Sequence, residues 1–469
     1  MRSSPQAAVE YVATHQTYYL QQLVEFLRIP SVGTSPAHRA DMARAAQWLA
    51  SFMEHIGLHS VQLIPTDLHP VVYGVWGPDD PEAPTLLVYG HYDVQPADPE
   101  DQWHTPPFEP TIQDGNIYAR GASDDKGQLL THLIAAEAYL RTSGKLPVTL
   151  KFFIEGQEEC GSAGLEDVIQ QHRALLTCDA VAISDDGFWD ATTPKITIGT
   201  RGLVYFEVEI QGPRHDLHSG IYGGAVHNPL QVAAEMIAQL HDAQGRVAIP
   251  GFYTRIQPLS PEERHELERI PFDEERFLRE EVGAPALWSG ELGYSVRERI
   301  TARPTLEIHG IRGGFVADGQ KTVIPAKATI KLSMRLVPDQ DPLEIAQLFE
   351  EHIRRIAPPT VRVSVRRLSY AYPALVDRRA PAIQAAVEAY RLGFGTAPVF
   401  LRSGGTLPVV ADFMRILNVP VVMMGFGLPD DNLHAPNEKL SLAQFFGGIR
   451  TAIHFMACLA RQSTSLGSG

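Results

Sequence analysis

The chain has 469 residues, 44% hydrophobic and 20% charged, with a formal net charge of −15. That length exceeds one simple core and implies two or three domains. The acidic balance argues against nucleic acid or an anionic membrane as a partner, since both need a basic face. The three cysteines, Cys160, Cys178 and Cys458, are odd in number and widely spaced, as expected of reduced thiols in a cytoplasmic protein. Residues 1–16 lack the apolar core of a secretory signal. No run reaches the ~18 apolar residues of a membrane span. Residues 463–469 read as a tail.

In chain order, residues 7–60 read as helical, with Leu20, Leu23, Val24 and Leu27, then Ala45, Trp48, Leu49 and Phe52, at helical spacing. The apolar runs 85–89 (TLLVY), 148–154 (VTLKFFI) and 180–183 (AVAI) read as strands covered on both faces. Leu129, Leu133, Ala136 and Leu140 mark a helix between the first two. This alternation predicts an α/β fold: a mixed, mostly parallel sheet flanked by helices. Near Thr200 the period changes. Val204, Phe206, Val208 and Ile210 alternate with more polar neighbours, as do Ile330, Leu332 and Met334 and then Val361, Val363 and Val365. A helical stripe (Ile345, Leu348, Phe349, His352, Ile356) lies between the last two, so an α+β domain is inserted into the first. Residues 245–303 are charged and proline-punctuated and read as helices and loops. Residues 381–390 read as a helix, 419–424 as a strand and 442–459 as a final helix. The predicted division is 1–199 and 373–469 for a catalytic domain and 200–372 for the insert.

The candidate chemistry sits in five short segments. His91-Tyr92-Asp93, Asp124-Asp125, Glu158-Glu159 and Ser184-Asp185 fall at or near strand ends, and His434 lies far downstream. In open α/β sheets ligand sites gather at the carboxyl ends of strands. Two imidazoles with several carboxylates make the donor set of a hard-to-borderline divalent metal centre. Charge counting favours two divalent ions. Three ligand carboxylates, Asp124, Glu159 and Asp185, offset most of +4, while neutral His91 and His434 add nothing. Glu158 is then free to take a proton from metal-activated water, and Asp93 can orient the His91 ring. Any one of these motifs alone is weak; their order along the chain and their places at strand ends carry the reading.

With GHYDV, RGASDDKG, EGQEECGS, ISD, DLHSG and NLHAPNEK in place, the chain from about residue 15 to 460 resembles a known family. This is the two-metal zinc metallopeptidase family of carnosinases, cytosolic non-specific dipeptidases, glutamate carboxypeptidases, aminoacylases and succinyl-diaminopimelate desuccinylases. The dipeptidase branch fits best, on DLHSGIYGG, TVIP and MRLVP. The resemblance implies His91, Asp124 and Asp185 on one metal and His434, Asp124 and Glu159 on the other, with Asp124 bridging. Which metal takes Asp185 and which Glu159 stays open. It implies zinc, with manganese or cobalt as alternatives. Glu158 would be the general base, and Asp93 the residue behind His91. The insert would be a lid and dimerisation domain, whose His218 reaches the neighbouring subunit's site in a homodimer. Arg335 would clamp the substrate carboxylate, a bidentate task suited to arginine. Thr322 and the Gly404-Gly405-Thr406 loop would hold the substrate backbone. The chain reads Arg402-Ser403-Gly404-Gly405-Thr406 where carnosinase-like relatives read Arg-Glu-Gly-Gly-Ser.

The expected reaction is metal-dependent hydrolysis of a dipeptide or short peptide with a free C-terminal carboxylate. Two alternatives stand beside it: deacylation of N-acetyl or N-succinyl amino acids by the same centre, and a catalytically silent metal-binding or interaction protein. No GxSxG, P-loop or GxGxxG motif supports serine-hydrolase or nucleotide chemistry.

Overall fold

Strands Thr149–Glu155, Thr85–His91, Ala180–Ile183 and Val421–Met424 lie side by side, all parallel. They are almost wholly buried, as apolar strands with both faces covered must be. The computed structural model describes residues 4–77 and 82–466. It divides into two units. The first takes in Met1–Ile198, Val376–Leu401 and Asp412–Gly469; the second takes in Gly199–Leu375 and Arg402–Ala411. Residues 402–411, expected in the last catalytic segment, therefore cluster with the second unit.

The fold is the mixed α/β type expected, with the parallel pairing concentrated in the four central strands. Val71–Trp76 pairs antiparallel with Thr149–Glu155, and His59–Ile64 antiparallel with it in turn. Lys195–Thr200 runs antiparallel to Val421–Met424 on the other side. The helical region expected over 7–60 resolves into Pro5–Thr14, Gln16–Leu27 and Arg39–Ile56 before the strand at His59 begins.

Helix Lys126–Ser143 is buried along almost its whole length, from Lys126 to Tyr139, and not only on one stripe. It packs with Pro5–Thr14 and Leu442–Leu466 in the main hydrophobic core. The final helix corrects one sequence expectation. Its Leu442–Gln462 stretch is long and apolar enough to cross a membrane, yet most of it is buried in the fold. A core helix of this size meets the same length and hydropathy test as a span. The helix runs to Leu466, into the expected tail; residues 467–469 lie outside the described residues.

The second unit holds a four-stranded antiparallel sheet in the order Thr305–Gly313, Lys327–Leu336, Gly202–Gln211, Arg362–Ala371. Its period-2 pattern is clean on Gly202–Gln211, where buried and half-buried residues alternate throughout. Val204, Phe206, Val208, Ile210, Leu332 and Met334 face a second core made with helices Pro229–Ile237 and Pro342–Ile356. Residues 245–303 contain helices Pro261–Arg269 and Val296–Thr301, each started by a Ser/Glu capping box, Ser260 with Glu263 and Ser295 with Glu298.

Candidate metal centre

His91 closes strand Thr85–His91, Asp185 follows Ala180–Ile183 by two residues, and Glu158 and Glu159 lie just past Thr149–Glu155. Three neighbouring parallel strands thus deliver their ends to one edge. Asp124 stands just before helix Lys126–Ser143, and His434 comes from the loop between Met424 and Lys439. His91 Nε2 lies 3.1 Å from Asp124 Oδ1 and 3.9 Å from Asp185 Oδ2. His434 Nε2 lies 2.9 Å from the other Asp124 oxygen and 3.3 Å from Glu159 Oε1. Two groups, His91–Asp124–Asp185 and Asp124–Glu159–His434, each keep one set of donor atoms within 4.8 Å of one another. Asp124 belongs to both, one oxygen to each.

The donor set suits divalent cations. His91 Nε2 and Glu159 Oε1 are buried without a hydrogen-bond partner; Asp124 Oδ1 is near His91 Nε2 but not aligned for a bond. Buried polar atoms are rarely orphaned, and two aimed into one carboxylate cluster fit cation ligands. The acidity of the cluster says the same. Burial pushes Glu158 up to about 8, with Asp185, Glu159 and Asp124 adding repulsion against the opposing His91. Burial and then Asp124 raise Asp185 to about 7. Burial opposes a charge on His91, but the Asp124, Asp93 and Asp185 carboxylates around it override that and hold the imidazolium well above its usual range. Asp124 and then Glu159 hold His434 at about 10. Crowded, buried carboxylates beside two raised imidazoles make a cluster whose charge suits divalent cations.

Asp93 ties two of these segments together. Its backbone oxygen takes His91 Nδ1 at 3.0 Å, and its carboxylate accepts the backbone N–H groups of Glu158 at 3.2 Å and Glu159 at 3.0 Å. Several groups that order the site gave no local sequence signal. Glu438 Oε1 accepts from the amides of Ser123 and Asp124, and its Oε2 from the amide of Gly121 and from Arg120. Asp431 accepts from the Ser123 hydroxyl, and Gln95 donates to Glu159 Oε2 at 2.6 Å. Glu438 lies in the NLHAPNEK motif, which was its only visible marker.

The remaining predicted residues belong to the second unit. His218 is exposed; its Nδ1 accepts from Gly220 N, and it pairs with Val323, beside Thr322, whose carbonyl accepts from Ser219 N. Arg335 Nη1 donates to Thr406 Oγ1 at 2.5 Å. Arg201 holds the same loop through its backbone N–H to Gly405 O and its Nε to Gly404 O. A Cβ on Gly404 would stand 2.2 Å from Ile300 O, so only glycine fits that close approach. Arg402 pairs with Glu263 of the capping box.

The sequence profile of Peptidase family M20/M25/M40 matches residues 87–457. The chain belongs to that family. The Cys-Gly metallodipeptidase dug1 of Schizosaccharomyces pombe is 32% identical over 98% of this chain and 100% of its own. The Beta-Ala-His dipeptidase of Homo sapiens is 33% identical over 98% and 94%. Among solved structures, the M20 family metallo-carboxypeptidase Sso-CP2 from Sulfolobus solfataricus superposes with a TM-score of 0.83 at 32% identity, covering 94% of this chain and 99% of that one. This M20 peptidase is therefore an amide-bond hydrolase of the dipeptidase branch.

Proposed function

We propose that this M20 peptidase hydrolyses dipeptides with a free C-terminal carboxylate, using two divalent ions. The observation that carries the reading is the pair of ligand groups sharing Asp124, with the half-buried Glu158 beside them. His91, Asp124 and Asp185 would hold one ion and Asp124, Glu159 and His434 the other. Zinc is the proposed metal, matching imidazole-plus-carboxylate donors. Bound there, the ions supply Lewis acidity that polarises the scissile carbonyl and lowers the pKa of water toward neutrality.

Glu158 takes the water proton and passes it to the leaving amine; its neighbour Glu159 is a ligand, so the two side chains divide the work. Asp93 orients His91 through Nδ1 and fixes the Glu158–Glu159 backbone. Arg335 binds the carboxylate, and Thr322 and the Gly404–Thr406 loop position the peptide. His218 is the oxyanion donor, supplied from the neighbouring subunit of a homodimer. Its Nδ1 accepts from Gly220 N, which leaves Nε2 as the ring's N–H donor. The working compartment is the cytoplasm. Support for the substrate class comes from relatives named for Cys-Gly and Beta-Ala-His cleavage.

The test is hydrolysis of free dipeptides, their C-terminal amides, and N-acetyl and N-succinyl amino acids by metal-reconstituted protein, with a chelated control. Chelator-sensitive cleavage of the free dipeptides alone is expected. Cleavage of only the acylated compounds would replace the reading with a deacylase.

A further inference from the structure

The second unit contains a cavity of about 410 Å³. Its floor is the polar face of the four-stranded sheet. Arg335 pairs directly with Thr305, and Ser333 with Glu307, so all four side chains leave the sheet on the side opposite the apolar core. Arg201, just before strand Gly202–Gln211, lines the cavity too, and the roof comes from residues 241–303, with Leu287 and Trp288 prominent.

Charge and shape narrow what fits. Neither Arg201 nor Arg335 forms an ion pair among the described residues, although Glu307 in the same lining acts on the Arg201 charge from a distance. Arg201 bonds to the carbonyls of Gly404 and Arg303, and Arg335 to a hydroxyl. Of the other arginines in the lining, only Arg303 is paired with an acid among the described residues. Arg303 makes a bidentate pair with Glu291 at 2.7 and 2.8 Å, and Arg299 donates to Trp288 O at 2.6 Å. One carboxylate between Arg201 and Arg335 answers the unpaired charge, while Glu307 opposes a second. The roof carries an apolar wall of Phe277, Leu287, Trp288 and Ile300 beside its charged groups; Trp288 is 62% exposed, its backbone held by Arg299 and its ring meeting His241 edge-on at 5.8 Å. A large fixed aromatic left in water at a cavity wall is a surface for an apolar group. The volume lies within the range of about 300–1,000 Å³ typical of small-molecule sites, far beyond the needs of a C-terminal glycine.

We infer that this cavity receives the C-terminal residue of the substrate, with its carboxylate between Arg201 and Arg335 and a bulky aromatic side chain against Trp288. The inference rests on the dipeptidase reading and assigns a task to residues 241–303: they select the C-terminal side chain.

The test is kcat/KM of the metal-loaded full chain for Ala-Phe, Ala-Trp, Ala-Gly, Ala-Glu and Ala-Lys, in wild type, Trp288→Ala and Trp288→Phe. Ala-Phe and Ala-Trp should exceed Ala-Gly by at least about 10-fold, as burial of an aromatic side chain implies. Trp288→Ala should reduce that preference to below about 3-fold, mainly through KM, and Trp288→Phe should keep most of it. Cleavage of none of the five would remove the dipeptidase reading and this inference with it. Cleavage with Ala-Gly equal to Ala-Phe, with Ala-Glu or Ala-Lys leading, or with the preference intact in Trp288→Ala would overturn the pocket assignment alone.

Discussion

Glu438 and Asp124 are 314 residues apart, yet Glu438 Oε1 accepts the backbone N–H of Asp124 at 3.0 Å. The same carboxylate gathers the amides of Gly121 and Ser123 and the Arg120 guanidinium, all buried. It therefore fixes the backbone that aims both oxygens of Asp124, while its own loop carries His434. Glu438→Gln removes the charge and turns an NH2 group toward these donors, leaving buried groups unsatisfied. Zinc affinity, measured by competition with a chromophoric chelator, should fall about 10- to 100-fold, the usual effect of removing an outer-shell partner. An affinity within twofold of wild type would refute this role.

The crowded carboxylates make a pH prediction for the metal-free protein. Glu155, Asp185 and Glu438 are each raised to about 7 and Glu158 to about 8, burial being the leading cause for all four. A carboxyl whose folded pKa exceeds its unfolded value stabilises below the unfolded value, and the gain is lost as pH rises through the folded value. These groups therefore take stability away between about pH 4.5 and 8. The raised His434 acts in the same sense. Buried His132, lowered to about 4, and Lys126, lowered to about 7, oppose it. Divalent ions replace the site's protons, so the rise in Tm on adding zinc should be larger at pH 8 than at pH 5.5. Equal rises by differential scanning fluorimetry at both pH values would contradict this account.

What the sequence discloses depends on whether a residue's role is written in local periodicity. Val204, Phe206, Val208 and Ile210 are all fully buried, because a half-covered strand must alternate. The strand 180–183 was legible to the residue from its apolar run. Strand Thr305–Gly313 was not, since most of it is exposed at a sheet edge and a register shift between Ile308 and Gly310 breaks its period. The metal-ligand candidates were visible because strand ends concentrate them. Glu438 had no such signature, as its partners are backbone amides in a distant segment. Arg201 likewise acts through carbonyls of the Gly404–Gly405 loop, which leaves no trace in side-chain spacing.

Glu158 should separate chemistry from metal binding. It is not in either ligand group, so Glu158→Ala should keep both zinc ions by elemental analysis of the dialysed protein. Its turnover should fall by about 10²- to 10⁴-fold, the usual contribution of a positioned base. Loss of a metal ion, or retention of most of the turnover, would move Glu158 out of that role.

Gly156 links the core to the site. It sits between Glu155 and the Glu158–Glu159 segment, and a Cβ there would lie 2.2 Å from Tyr92 Cζ. The Tyr92 ring cannot move aside cheaply: it is buried, its hydroxyl donates to Pro70 O at 2.7 Å, and its backbone N–H donates to Glu155 O. Gly156→Ala should therefore destabilise by about 1–3 kcal/mol through overpacking and weaken zinc binding by displacing Glu159. Tyr92→Ala removes the obstruction at the expense of a cavity. In Gly156→Ala/Tyr92→Ala the added methyl meets empty space, so the double variant should be more stable than the sum of the single effects by more than about 0.5 kcal/mol. Denaturant unfolding of the four proteins measures the coupling, and additivity would show that the Tyr92 ring does not constrain the loop that carries Glu158 and Glu159.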